Sequence, residues 1–334
     1  MAAVLIQGEG IAASCCARLL IEAGLPFTVA PRPRPKLPAV MLSETTQKLL
    51  RDVFDRDDLF NGLLQIRKRV VMWGEVPRLT TLPHSAVVVS ESELLTRIHQ
   101  QLEYREDPNR AEPEWTVFAS APLPPPSTET HFGLRPAAAS PVKLKRESDC
   151  ETCWIESLES GWLFLLPTGT ETGWLLSVGG PVDALVGMSR LIKEHIDGLR
   201  PSQGTFASHP RIASPLSEPG WLACGTAALA FDPLCGDGAG NAVREAILGA
   251  AMLRASVNGF DLDSLIAHYH SRLIAGFERH VALCLQFYQS GGSGGWWADQ
   301  AESCRRGLAW CSEQLSEKPP FRYRLNGFAL EPAS

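Results

Sequence analysis

The chain has 334 residues, 45% of them hydrophobic and 20% charged, with a net charge of −6 at neutral pH. That balance describes a globular protein of one large or two closely joined domains, and it argues against the basic face of a nucleic-acid binder. No apolar run reaches the roughly 18 residues of a membrane helix. The N-terminus opens on a strand-like run, Ala3–Ile6, without a basic leader, which predicts a cytoplasmic protein with no signal peptide and no membrane contact.

Val4–Gln7 reads as a buried parallel strand. Gly8-Glu9-Gly10-Ile11-Ala12-Ala13 follows, and residues 14–23 predict a helix closed by Gly24. Residues 26–30 form the second strand of this βαβ unit. Its G-x-G-x-x-(G/A) turn places glycines where the backbone must turn tightly and approach a pyrophosphate, and the helix N-terminus adds free N–H groups and partial positive charge. Ala13, third in the pattern, has only to allow close helix–strand packing. The plainer reading is a tight βα turn with no ligand. The second strand lacks the terminal Asp or Glu that would hold a ribose. Ala30-Pro31-Arg32-Pro33-Arg34-Pro35 stands there. Arg32 and Arg34 either grip a phosphate or lie in a solvated, proline-stiffened loop.

The middle of the chain turns to β. Residues 69–73 and 86–89 read as strands, and residues 91–102 as a helix. Residues 104–114 and 122–131 read as exposed loops. Residues 153–158, 162–166 and 173–178 predict a three-stranded meander, whose Trp154, Trp162 and Trp174 belong to the core or line an aromatic pocket. Residues 181–199 predict a helix. His84, in Leu82-Pro83-His84-Ser85, is either a base or a loop histidine with a backbone partner, and His209 presents the same choice. The nine cysteines are scattered. Cys150 and Cys153 have no second ligand pair nearby and lead into a strand, so the spacing reads as chance in a reducing compartment.

Residues 221–225 predict another buried strand, and Asp232-Pro233-Leu234-Cys235-Gly236-Asp237-Gly238-Ala239-Gly240-Asn241 runs into a helix over residues 242–256. Glycines before a helix again bring backbone N–H groups to an anionic or polar ligand. Asp237 reads as the cap of that helix. The C-terminal third predicts helices over 261–288 and 297–313. Gly291-Gly292-Ser293-Gly294-Gly295 between them is a hinge or tight loop, with a mobile lid as the sharper alternative.

A strand, then Cys224-Gly225-Thr226-Ala227-Ala228, then D-P-x-x-G-x-G at a helix start, resembles the way flavoprotein monooxygenases of the p-hydroxybenzoate hydroxylase type complete their FAD site. The flavin-dependent tryptophan halogenase branch is the most similar. Residues 37–45 resemble its I-P-x-x-G-V-G-E-x-T segment, and Trp162–Pro167 its W-x-W-x-I-P motif, with Phe164 for the second Trp and Leu166 for Ile. Val117-Phe118-Ala119-Ser120-Ala121 stands where the branch carries an A-D-G turn, and Phe132-Gly133-Leu134-Arg135 resembles the return to the substrate sheet.

The resemblance spans nearly the whole chain. It implies an α/β fold: a Rossmann-like FAD-binding domain of the glutathione-reductase type with an interleaved antiparallel substrate sheet and C-terminal helices. Residues 1–65, 90–125 and 215–257 would form the FAD-binding domain, 66–89 and 126–214 the substrate sheet, and 258–334 the helical region. The implied FAD contacts are Gly8, Gly10, Ala13, Arg32, Ser43, Thr226, Asp232, Gly236, Gly238, Ala239 and Asn241. Glu44 matches a family position near the flavin, and with His84 it is a catalytic candidate. The implied activity is FAD-dependent hydroxylation of an aromatic substrate, an indole or a peptidyl tryptophan, through a flavin C4a-hydroperoxide. Electrons would come from NAD(P)H or from a separate flavin reductase.

Two departures bear on that expectation. Thr226 stands where the family has the Asp that bonds the ribityl chain. Halogenases also carry a lysine about eight residues before a strand-ending Trp; counting back from Trp73 gives Gln65, with Lys68 out of register. The second departure favours oxygen insertion over halogenation. The alternatives are a halogenase using Lys68, and a homologue that has lost tight FAD binding and serves in binding or assembly.

Overall fold

The computed structural model describes residues 3–76, 78–100, 112–122, 126–202, 204–316 and 321–333. The chain opens with β1 (Val4–Gln7), α1 (Ile11–Glu22) and β2 (Phe27–Ala30). Val4 and Ile6 turn into the core, and α1 buries Cys15, Cys16, Leu19 and Leu20 against it. Next come β3 (Val40–Ser43), α2 (Glu44–Phe54), β4 (Leu64–Trp73), β5 (Arg78–Val89), α3 (Glu91–His99) and β6 (Trp115–Phe118). β1 lies between β2 and β6 in parallel register, Val4 opposite both Phe27 and Trp115. Each of these strands ends at the same edge of the sheet, where the glycine turn sits.

The middle third supplies β7 (Thr128–His131), β8 (Pro136–Leu144), β9 (Thr152–Leu158), β10 (Gly161–Pro167), β11 (Thr172–Val178), α4 (Val182–Met188), β12 (Ile196–Leu199) and β13 (Thr205–Ala207). A large sheet runs β12-β8-β11-β10-β9-β4-β5-β3, with β13 on β8. Its pairs are antiparallel except β4 with β9. The β9–β11 meander follows the hydrophobic pattern expected from the sequence. β10 is buried on both faces. Leu163 and Leu165 pack with Val142, Leu144, Trp154 and Leu175 under α4, while Trp162 joins the main core and Phe164 packs against it. Trp154 and Trp162 therefore serve opposite faces, and Trp154 stacks on His195 with ring centroids 4.3 Å apart.

The last third adds β14 (Arg211–Ser214), β15 (Ser217–Glu218), β16 (Trp221–Ala223), β17 (Leu229–Ala230), α5 (Gly238–Val257), α6 (Leu262–Ser290), α7 (Gly295–Ser316), β18 (Tyr323–Asn326) and β19 (Ala329–Pro332). β16 joins β6 in parallel, so the five-stranded sheet reads β15-β16-β6-β1-β2. Among the described residues no helix is long and apolar enough to cross a membrane.

Several local expectations are corrected. β4 and β5 are longer than their apolar runs, because the outer half of β5 is exposed and mixes Arg78, Thr80 and Thr81 with Leu79 and Leu82. His84 consequently lies within a strand, not a loop. Residues 181–199 are not one helix: α4 stops at Met188, a short 3-10 turn spans Ile192–His195, and β12 follows. The cause is the buried Glu156, whose carboxylate accepts Ser189 Oγ and the N–H groups of Arg190, Leu191 and Ile192, which breaks the helix there. Within 122–131, Thr128–His131 is a strand against β14, its polar residues having hidden the signal. Residues 101–111, which include the expected end of the third helix and most of the 104–114 loop, lie outside the described residues.

The Gly291–Gly295 turn is a tight loop. The Trp297 indole lies directly on Gly291 and Gly292, where any side chain would overlap it, and its Nε1 donates to Leu158 O at 2.9 Å. The glycines make room for a tryptophan that ties the helices to the large sheet.

Candidate functional site

The turn after β1 shows why glycine is needed there. Gly8 and Gly10 have φ of 119° and 106°, a region closed to most side chains. A Cβ on Gly8 would lie 2.8 Å from Ser120 N, and one on Gly10 would lie 2.6 Å from Arg34 Nη2. Ser120 follows β6, is buried, and its Oγ has no hydrogen-bond partner among the described residues. A buried hydroxyl without a partner costs free energy, and this one faces the glycine turn. Ala12 and Ala13 are buried in the first turn of α1.

Cations occupy the place of the missing ribose acid. Arg32 Nη2 donates to Gln7 Oε1 at 2.6 Å, beside the end of β1. Arg34 forms a two-pronged pair with Glu91, and Leu37 N donates to the same carboxylate at 2.8 Å. Glu91, the first residue of α3, is buried. The pair holds the Arg34 guanidinium over Gly10. Glu9 is paired with Lys36 at 2.6 Å, which holds its carboxyl below the usual range. The sequence carried no signal for Glu91, because its partner is 57 residues away.

The second glycine segment folds onto the first. A Cβ on Gly225 would lie 2.7 Å from Ala12 Cβ and 2.9 Å from Ala119 O, so the turn over Gly225–Ala227 sits directly on the start of α1. Thr226 is exposed at that turn. Beneath it, Gly225 N donates to Glu245 Oε2 at 2.7 Å, and burial pushes the Glu245 carboxyl up to about 8. Gly236 and Gly238 are exposed at the N-terminus of α5, with Ala239 and Asn241 part-exposed in its first turn. The unpaired N–H groups of that turn are oriented as an anion or a polar ring edge requires.

Asp237 does not cap α5 through its side chain. It adopts a left-handed backbone (φ 71°), accepts from Thr46 Oγ1, and pairs with Arg244 at 2.8 Å. Ser43 caps α2 instead, accepting from Thr46 N at 3.2 Å. The Ser43–Thr46 and Asp237–Asn241 segments are thereby joined. Asp232 is also reassigned. Its side chain is fully buried, 3.1 Å from the equally buried Arg135; it accepts from Tyr288 Oη and Leu234 N, and is not available to a ligand. Burial raises its carboxyl, and Arg135 opposes that shift.

The two catalytic candidates differ in setting. Glu44 is exposed at the first position of α2, next to Ser43. His84 is 3.2 Å from Arg69 Nη2 at the β4–β5 bulge, and burial with that cation lowers its pKa. Ala86, which pairs with Ser43, lies two residues beyond it. Lys68 is exposed and reaches Asp149 at 3.4 Å. His209 is buried, its Nδ1 accepts from Arg135 N at 3.5 Å, the backbone partner expected, and its Nε2 lies 3.0 Å from His131 Nδ1.

FAD fits the pyrophosphate end of this site: two glycines with open φ, a helix N-terminus, an orphaned buried hydroxyl and a held guanidinium converge there. The ribose contact would have to come from Arg32 or the backbone, since no carboxylate stands at the end of β2.

No protein-family model and no curated protein matches the chain. Solved structures do. The flavin-dependent halogenase CmlS superposes with a TM-score of 0.75 at 16% identity, over 94% of this chain and 71% of that one. The peptidyl tryptophan dihydroxylase QhpG, essential for tryptophylquinone cofactor biogenesis, gives 0.72 at 17% identity over 90% and 78%. HpxO of Klebsiella pneumoniae, complexed with FAD, gives 0.63 at 13% identity over 95% of each chain. The mixed α/β architecture built here from two glycine turns and a large antiparallel sheet is the fold that these flavin-dependent halogenases and FAD monooxygenases share.

Proposed function

We propose that the chain is an FAD-dependent monooxygenase that hydroxylates an aromatic substrate, an indole or a tryptophan within a peptide. The observation that carries this reading is the convergence of Gly8, Gly10 and the partnerless Ser120 Oγ on one side with Gly225–Ala227 and the α5 N-terminus on the other. Reduced FAD, when bound, supplies the activation of O₂ that no side chain can. The chain's part is to hold the diphosphate between the Gly8–Gly10 turn and Arg34, to present Thr226 and the α5 N–H groups to the polar end of the flavin, and to keep water out with Trp162 and Phe164 from the inner face of β10. Glu44 and His84 are the groups proposed to move a proton on the substrate. Electrons come from NAD(P)H or a partner reductase.

Hydroxylation is favoured over halogenation by Lys68, whose ammonium is exposed and faces Asp149. The likeness to a peptidyl tryptophan dihydroxylase supports a peptide as the substrate class. The test is a titration of the purified protein with FAD, followed by turnover with a flavin reductase, NADH, O₂ and a tryptophan-containing peptide, with and without bromide. Saturable flavin binding and a product carrying added oxygen are expected, with no brominated product. Absence of saturable FAD binding would overturn the reading and leave a binding or assembly role.

A further inference from the structure

One side of α6 carries His280, Cys284 and Tyr288, spaced one helical turn apart and so aligned on one face. All three face the loop that begins at Asp232. Asp232 N donates to His280 Nε2 at 2.8 Å, and Tyr288 Oη donates to Asp232 Oδ2 at 2.8 Å. The loop is therefore gripped one turn above and one turn below Cys284. Between those grips, Cys235 Sγ lies 3.3 Å from Cys284 Sγ. Cys284 Sγ lies 3.3 Å from His280 Nε2.

We propose that Cys235 and Cys284 form an oxidisable dithiol, in which Cys235 reacts first with a peroxide and Cys284 resolves it to a disulfide. Of the nine cysteines, only Cys150 and Cys235 are not buried. Cys16 and Cys224 are 3.9 Å apart but both are buried, so a solute has no access to them. Cys284 is fully buried, so a peroxide in solution reaches Cys235 and not Cys284, and Cys284 meets only the sulfur beside it, 3.3 Å away. Closing the bond needs the sulfurs to move from 3.3 Å to about 2.05 Å.

The chemistry balances in two steps. The Cys235 thiol and hydrogen peroxide give the sulfenic acid and one water. The Cys284 sulfur then attacks the Cys235 sulfur, the S–S bond forms, and the departing hydroxide leaves with the Cys284 proton as a second water. Peroxide is reduced by two electrons and the two thiols are oxidised by two. Cys235 Sγ, His280 Nε2 and Cys284 Sγ lie within 4.8 Å of one another, as the donors of a thiophilic cation would. The His280 lone pair, however, is already committed to Asp232 N–H, which favours the dithiol.

The test uses the full chain treated with hydrogen peroxide and then denatured in a thiol reagent. Reactive thiols should fall from the nine of the sequence by two. Non-reducing tryptic maps should join peptide 212–244 to peptide 280–305. In Cys284→Ser the cross-link should vanish and a dimedone adduct should appear on Cys235; in Cys235→Ser neither should form. Retention of all thiols, a cross-link that survives either variant, or stoichiometric zinc in the untreated protein with both thiols masked would each overturn the proposal.

Discussion

Arg135 Nε sits 3.1 Å from Asp232 Oδ2 with neither side chain exposed, and the pair is closed in by Tyr288, whose ring lies 4.7 Å from the guanidinium carbon. Removing one charge leaves the other buried and uncompensated. Asp232→Asn is therefore expected to cost about 3–5 kcal/mol of stability, read as a lowered urea midpoint. The double variant Arg135→Met, Asp232→Asn should recover part of the loss, since no bare charge remains.

Glu245 gives the protein an inverted pH response. Burial raises its carboxyl to about 8 from the 4.5 expected of the unfolded chain. The folded state thus holds a proton that the unfolded state releases. This group's contribution is fully present below the unfolded value and is lost as pH rises toward 8, at up to about 1.4 kcal/mol per pH unit. Glu245→Gln keeps an acceptor for Gly225 N–H and removes the titration. Denaturant midpoints from pH 5 to 8 should fall for the wild type relative to the variant, and equal slopes would remove Glu245 as the cause.

Arg34 is expected to carry part of the FAD diphosphate. Deleting a charge-assisted hydrogen bond costs about 1.5–3 kcal/mol, so Arg34→Ala should weaken FAD binding by roughly tenfold to a hundredfold in a fluorescence titration. Glu91→Gln should weaken it less, because the guanidinium remains but is held loosely. Gly10→Ala should abolish binding, the new methyl standing 2.6 Å from Arg34 Nη2.

Gly292→Ala tests the reading of the glycine-rich turn. The added carbon would lie 2.5 Å from Trp297 Nε1, an overpacking expected to cost about 1–3 kcal/mol. A lowered melting temperature is expected. A variant as stable as the wild type would mean that the turn yields freely.

The elements that place the glycine turns were legible because each rests on a local pattern. The β1–α1–β2 unit, the meander and the last two long helices follow from hydrophobic period and from glycine position. What was not legible depends on partners far apart in sequence. Asp232 read as a ligand contact because nothing nearby shows that Arg135 and Tyr288 claim it. Asp237 read as a cap because Thr46, 191 residues away, is invisible from its neighbours. The helix expected over 181–199 failed for the same reason, Glu156 taking its backbone N–H groups from another strand. Thr128–His131 was missed for a different one: an exposed polar strand has no apolar alternation to read.

Four stretches of chain meet at the Arg135 guanidinium: the approach to β8, the Asp232 loop, Tyr288 on α6, and Gln300 on α7, whose Oε1 accepts from Nη1 at 3.0 Å. During synthesis the first two emerge long before the last. Until residue 300 has left the ribosome, the Arg135 guanidinium lacks its last acceptor, and a cation shaped for a dry socket stands partly wet.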